Sequence, residues 1–120
     1  MQSTTIFDFG DIVLVNFPFT NLQSFKKRPA VIISNQAYQQ QRPDILLMAV
    51  TSKIREPLDF GEALIKDWQV AGLAKPSVFK PLIATIEQAL IVKSLGHLAP
   101  KDKDSLQALI RSILVSESDP

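Results

Sequence analysis

Three cations in a row, Lys26, Lys27 and Arg28, stand directly before Pro29 and the apolar run Ala30 to Ile33. A hydroxyl pair, Thr51 and Ser52, ends another largely apolar run, Asp44 to Thr51, and is followed by Lys53 and Arg55. These residue types suit anion binding. The planar fork of a guanidinium reaches two phosphate oxygens and stays charged at every relevant pH, and a hydroxyl can join it on the same phosphate. Pro29 fixes its own φ and biases Arg28 toward extended backbone, so the arginine is held at a strand entrance and not on a loose tail. If the two runs are strands sharing one end of a sheet, Arg28 and Thr51 converge on one phosphate. The spacing is equally compatible with a surface arginine and a strand-capping threonine.

Other chemistries lose their sequence support. His97 is the single histidine, which leaves no two-histidine acid and base pair and no histidine-rich metal site. There is no cysteine, hence no disulfide and no thiolate ligand, and a reducing compartment is permitted. Phosphate-loop, dinucleotide-binding and hydrolase-elbow glycine motifs are all absent. Electrostatic stabilisation is the chemistry that is left. With 13 basic and 12 acidic residues the formal net charge is +1, so any nucleic-acid site must be local, at Lys26 to Arg28 and at Lys53 and Arg55. The competing reading of these groups is solvated loop ends.

The elements that must position these groups are short. A length of 120 residues implies one domain, 1–120, large enough for a core without staples. Met1 to Phe9 lacks the pattern of a signal peptide, and no run approaches the ~18 apolar residues of a membrane span. A soluble chain is expected, with the cytoplasm as the default compartment. Ile12 to Phe17 reads as a first strand, ended by Pro18, then Thr20 to Phe25 as a loop and Ala30 to Ile33 as a second strand. Gln36 to Pro43 reads as a connection with room for one helical turn. Asp44 to Thr51 reads as a third strand, although its Leu-Leu-Met-Ala centre tolerates helix.

Further on, Glu62 to Ile65 is a short strand and Lys66 to Gln69 a single helical turn whose Trp68 is a packing anchor. Val78 to Ile86 is a strand with a bulge or edge position at Pro81, and Leu90 to Val92 with Ser94 to Leu98 supply its return partner. Leu106, Leu109, Ile110, Ile113 and Leu114 share one helical face, with Asp102 and Asp104 in the first turn after Pro100 and a frayed tail from Ser116. The predicted class is mainly β: a small, strongly bent antiparallel sheet or partly open barrel, closed by a C-terminal amphipathic helix.

Several stretches, in order, resemble the MazF/PemK toxins of type II toxin-antitoxin systems: G-D-I-V-L-V at 10–15, K-K-R-P-A-V-I-I-S at 26–34, A-V-T-S at 49–52 and D-W-Q-V-A-G-L-A-K-P-S at 67–77. T-I at 85–86, L-G-H-L at 95–98 and the final helix continue the match over nearly the whole chain. The resemblance implies an SH3-like small barrel, a homodimer, and metal-independent, sequence-specific cleavage of single-stranded RNA without a cofactor. It assigns catalysis to Arg28 and Thr51, with Lys26, Lys27, Ser52, Lys53, Arg55 and Lys80 as the expected RNA contacts. The implied reaction is attack by the RNA 2′-hydroxyl on the adjacent phosphorus, giving a 2′,3′-cyclic phosphate and a 5′-hydroxyl. It also implies a short acidic antitoxin as partner, with DNA contacted only through that antitoxin.

The chain departs from the family pattern at Leu22-Gln23-Ser24, where many relatives carry a glutamate, and at Ala84, where a basic residue often precedes the threonine. Those departures motivate one alternative, a non-catalytic RNA-binding relative of the fold. A second alternative is a gyrase-targeting toxin of the CcdB type. Toxins of that type place Trp-Gly-Ile at the extreme C-terminus, whereas this chain ends Ser-Asp-Pro.

Overall fold

The computed structural model describes residues 6–17 and 26–116. The loop expected over Thr20 to Phe25, the Leu22-Gln23-Ser24 departure and most of the expected tail lie outside the described residues. Strands β1 (Asp11–Phe17), β2 (Lys26–Ile32), β3 (Asp44–Thr51), β4 (Ala63–Ile65), β5 (Ser77–Glu87) and β6 (Ile91–His97) are joined by a short helix α1 (Gln36–Gln41) and followed by α2 (Pro100–Leu114). They form one six-stranded sheet in the order β4-β5-β3-β2-β1-β6, each neighbouring pair antiparallel. The result is the expected mainly β architecture, a half-barrel with a C-terminal helix.

Strand periodicity explains why the sheet forms here. Ile12, Val31, Met48 and Val50 belong to one buried cluster together with Phe79 and the helix residues Leu106 and Leu109. The alternate residues Val13, Val15, Ala30, Ile32, Ile45 and Leu47 belong to a second cluster with Phe7 and Ile86. Successive side chains of a strand point to opposite faces, so β1 to β3 are apolar on both. At about 1.5–3 kcal/mol per fully buried large aliphatic side chain, this double burial is the main stabilising term of the sheet.

One expectation is corrected. The chain from Leu90 to Leu98 does not return along the Val78 to Ile86 strand. It forms the single strand β6, which pairs with β1 from Asp11↔His97 to Val15↔Ile91. β5 instead pairs with β3 from Asp44↔Glu87 to Thr51↔Val78 and with β4 at Ser77 to Phe79, while β6 takes the side of β1 that β2 leaves open. Lys66 to Gly72 forms successive turns, one of them closed by the Ala71 N–H on the Asp67 carbonyl at 3.2 Å, the i→i+4 bond of a single helical turn. Those turns do hold Trp68 against the first core cluster, as expected of an anchor.

Where the edge strands β4 and β6 leave the half-barrel open, the turns after β4 lie directly on β6. A methyl group added at Gly72, whose φ is 86°, would land on the Leu95 carbonyl oxygen. One added at Gly96 would land on the Ala71 carbonyl oxygen. Asp102 ties the same region to α2. Its buried carboxylate accepts the backbone N–H of Lys66 at 2.9 Å and of Asp67 at 2.8 Å, a stronger role than the expected favourable charge in the first helical turn.

Helix α1 is secured at both ends. Asn35 caps it by accepting the Tyr38 N–H at 2.9 Å, and Asp44 of β3 accepts the Tyr38 hydroxyl at 2.8 Å and two Arg42 N–H groups at 3.3 Å each. Arg42, and then the Tyr38 hydroxyl, hold the Asp44 carboxyl below its ordinary 3.8. A carboxyl lowered in the folded chain stabilises it above the unfolded pKa, and that contribution is lost as pH falls through the folded value. Asp44→Asn is therefore expected to lower the thermal midpoint at neutral pH, with the gap from wild type closing below about pH 4. Thermal unfolding across that range checks it.

Candidate active site

Strands β2 and β3 are hydrogen-bonded from Ile32↔Leu47 to Ala30↔Ala49, and the ladder ends there. Pro29, which has no N–H to donate, is the next residue outward, and beyond it the two strands are free to separate. Continuing the antiparallel register by two residues sets Arg28 opposite Thr51. Both residues have the parity of Ala30, Leu47 and Ala49, so they leave the same face of the sheet.

A cleft of about 340 Å³ opens at that point, lined by Arg28, Thr51, Lys53, Arg55 and Lys80 and also by Asp59 and Glu62. An adjoining depression of about 230 Å³ is lined by Ser52, Lys75 and Ser77. Arg28, Pro29, Val50, Thr51 and Lys53 line both, so Arg28 and Thr51 stand where the two hollows meet. Lys80 reaches the cleft because β5 bulges just beyond it. Ala49 pairs with Lys80 but Met48 pairs with Ile83, leaving Pro81 and Leu82 as extra residues, which is the bulge expected at Pro81.

Six of the eight residues expected at the site therefore meet. The other two, Lys26 and Lys27, are exposed at the start of β2, opposite Phe17 and Asn16 of β1, and line neither hollow.

The cleft carries four cations, Arg28, Lys53, Arg55 and Lys80, against two acids, Asp59 and Glu62. Among the described residues, ion pairs involve Arg42, His97 and Lys101, and none involves Arg28, Lys53, Arg55 or Lys80. Among the described residues the site cations therefore have no ion-pair partner and are available to an anion. Thr51 Oγ1 accepts the Lys53 backbone N–H at 3.1 Å, which fixes the oxygen and leaves its own hydrogen free to donate. His97 lies elsewhere, its Nδ1 2.6 Å from Asp11 Oδ1. Among the described residues no group of three or more His, Asp or Glu side chains is arranged to hold a metal ion.

Asp59, Glu62, Lys75 and Ser77 were not among the residues expected at the site. The acids are visible in the sequence as part of a charged stretch from Asp59 to Asp67. No periodicity links that stretch to Arg28. Only the pairing of β4 with β5, and of β5 with β3, brings it to the cleft.

A family model described as PemK-like, MazF-like toxin of type II toxin-antitoxin system matches residues 8–114. Among solved structures, an endoribonuclease in complex with its cognate antitoxin from a mycobacterial species superposes with a TM-score of 0.74 at 15% identity, over 94% of this chain and 98% of that one. MazF from Deinococcus radiodurans gives 0.71 at 20% identity, over 94% and 100%. The Mycobacterium tuberculosis toxin MazF-mt6 gives 0.69 at 19% identity, over 85% and 93%. At these identities the structural likeness establishes the fold. No curated protein matches the chain.

Proposed function

The chain belongs to the PemK-like, MazF-like toxins of type II toxin-antitoxin systems, and within that family we propose that it is a metal-independent, sequence-specific endoribonuclease acting on single-stranded RNA. The observation that carries this reading is the meeting of Arg28 and Thr51 at the junction of two hollows rimmed by cations that form no ion pair among the described residues. An RNA strand passing from one hollow to the other presents a phosphate at that junction and a base to each side. Lys53, Arg55 and Lys80 neutralise flanking phosphates in the larger hollow, and Ser52 donates to one in the smaller. Lys26 and Lys27 contact the strand after it leaves the cleft, on the β1–β2 side.

In the proposed reaction the 2′-oxygen loses its proton as it bonds to phosphorus, and the 5′-oxygen takes up a proton as its bond breaks. The products are a 2′,3′-cyclic phosphate and a 5′-hydroxyl. Arg28 stabilises the charge that develops on the non-bridging oxygens, and the free Thr51 hydroxyl hydrogen donates to one of them. Preorganised donors of this kind contribute about 2.7–4 kcal/mol each, enough for a site without a histidine.

The partners on this reading are the RNA, a second copy of the chain and a short acidic antitoxin segment that covers the cationic cleft, with DNA reached only through the antitoxin. We read residues 1–120 as one domain acting in the cytoplasm. No helix among the described residues is long and apolar enough to cross a membrane.

The test is to incubate the purified protein with a long single-stranded RNA and with DNA of the same sequence, in EDTA, and to map the new 5′ ends. Cuts at one short recurring sequence in RNA alone are expected, because DNA lacks the internal nucleophile. Equal cutting of DNA, or loss of cutting in EDTA, overturns the mechanism. Uncut RNA that is still bound in a salt-sensitive way points to a non-catalytic relative of the fold.

A further inference from the structure

Asp59 and Glu62 pose a problem for a cleft that receives a polyanion, because two carboxylates among its cations repel phosphate. Their hydrogen bonding divides them into two roles. The Glu62 carboxylate accepts the Asp59 backbone N–H at 3.0 Å, and the Glu62 N–H donates to the Asp59 carbonyl at 3.1 Å, so the two residues close a small turn reciprocally. Between them Gly61 has φ 93° and is buried against Pro81 of the β5 bulge, where a methyl group would come within 3.0 Å of the proline ring. The turn is therefore held from both sides. The Asp59 carboxylate itself is exposed on the cleft wall and has no hydrogen bond or ion pair within the described residues.

An ionised carboxylate is acceptor-only. In single-stranded RNA the groups that donate to it are base N–H groups and sugar hydroxyls, and only the base N–H groups differ from one nucleotide to the next. We propose that Asp59 is a specificity-determining residue, accepting N–H donors from the pairing edge of a nucleobase next to the scissile phosphate, with Glu62 as its positioning residue. Guanine fits best, because its ring N–H and exocyclic amino group lie side by side and match the two oxygens of one carboxylate. Uracil offers a single N–H flanked by carbonyls that a carboxylate repels. On this account the acids serve selection: they lower affinity for the backbone everywhere and restore it only where the matching base is present. The inference rests on the ribonuclease reading for its substrate, but base discrimination can be measured without cleavage.

The experiment has two arms, each using wild type, Asp59→Asn and Glu62→Gln. In the first, cut sites are mapped on a random-sequence RNA pool. In the second, binding is measured to uncleavable oligonucleotides, 2′-deoxy at the scissile position, that carry either guanine or inosine, which lacks the exocyclic amino group, at one site. Wild type is expected to require guanine at one position and to bind guanine over inosine by roughly 10-fold, the range of one charge-assisted hydrogen bond. Asp59→Asn, whose amide nitrogen cannot accept, should lose that preference at that position alone while still binding RNA. Glu62→Gln should weaken it partially.

A wild-type recognition sequence without guanine, or one that is unchanged in Asp59→Asn, overturns the proposal. Guanine-selective binding without cleavage keeps it and rejects the nuclease. Absence of any RNA binding rejects both.

Discussion

Replacing Arg28 with alanine is expected to slow cleavage of single-stranded RNA by about 10²- to 10³-fold, the usual cost of removing one donor aimed at developing transition-state charge. The fold should not change. Arg28 is exposed near the start of β2, belongs to neither core cluster and makes no ion pair among the described residues. Loss of rate therefore reports on the site and not on unfolding, and an unchanged far-ultraviolet spectrum and thermal midpoint verify that separation. Arg28→Lys sharpens the test. It keeps the charge but loses the two-pronged fork, so it should restore binding more fully than rate. Single-turnover rates beside dissociation constants distinguish the two. An Arg28→Ala protein that cuts at the wild-type rate would remove Arg28 from the mechanism.

The largest expected effect on stability lies far from that site, at Gly72. Its φ of 86° is one that residues with a Cβ rarely adopt, at about 1–2 kcal/mol. The added methyl would also meet the backbone carbonyl of Leu95, which has no rotamer by which to move aside. Overpacking of this sort costs a further ~1–3 kcal/mol, so Gly72→Ala should lose roughly 3 kcal/mol or more in urea unfolding. Gly96→Ala presses on the same seam from the other side, against the Ala71 carbonyl, and should be nearly as damaging. Gly10 provides the contrast. A methyl there would meet the tip of the His97 ring at 3.3 Å, so Gly10→Ala carries only the cost of its φ of 95° and a small shift of a side chain.

The first three strands were legible because each is an apolar run whose two faces are both buried, so composition and length alone mark it. The bulge at Pro81 was legible because a missing N–H interrupts any ladder. Arg28 and Thr51 could be named from their places at the ends of two runs. Their convergence depended on the β2–β3 register, which no local pattern contains.

Long-range pairing is also where the reading failed. The run from Leu90 to Leu98 offers strand propensity but no statement of which strand it pairs with, and its partner is β1. Asp102 looked like an ordinary first-turn acid because its partners, the amides of Lys66 and Asp67, are more than thirty residues away. Asp59 and Glu62 were equally silent, since a carboxylate on a cleft wall and one in solvent are written with the same letter.

The Asp102 bridge has a consequence for how the molecule opens. Lys66 is itself exposed, and a turn at such a position would ordinarily release its amide protons to solvent within the fast fluctuations of a loop. Here two of those amides are held by a carboxylate that belongs to α2, and Lys101 lies 3.8 Å from Asp67 across the same junction. Leu106 and Leu109 of that helix are in turn buried in the first core cluster. The turn can come free only when the helix lifts from the sheet or its first turn frays, so hydrogen exchange at Lys66 and Asp67 should follow the slow opening of α2 and not the local motion of the surface around it.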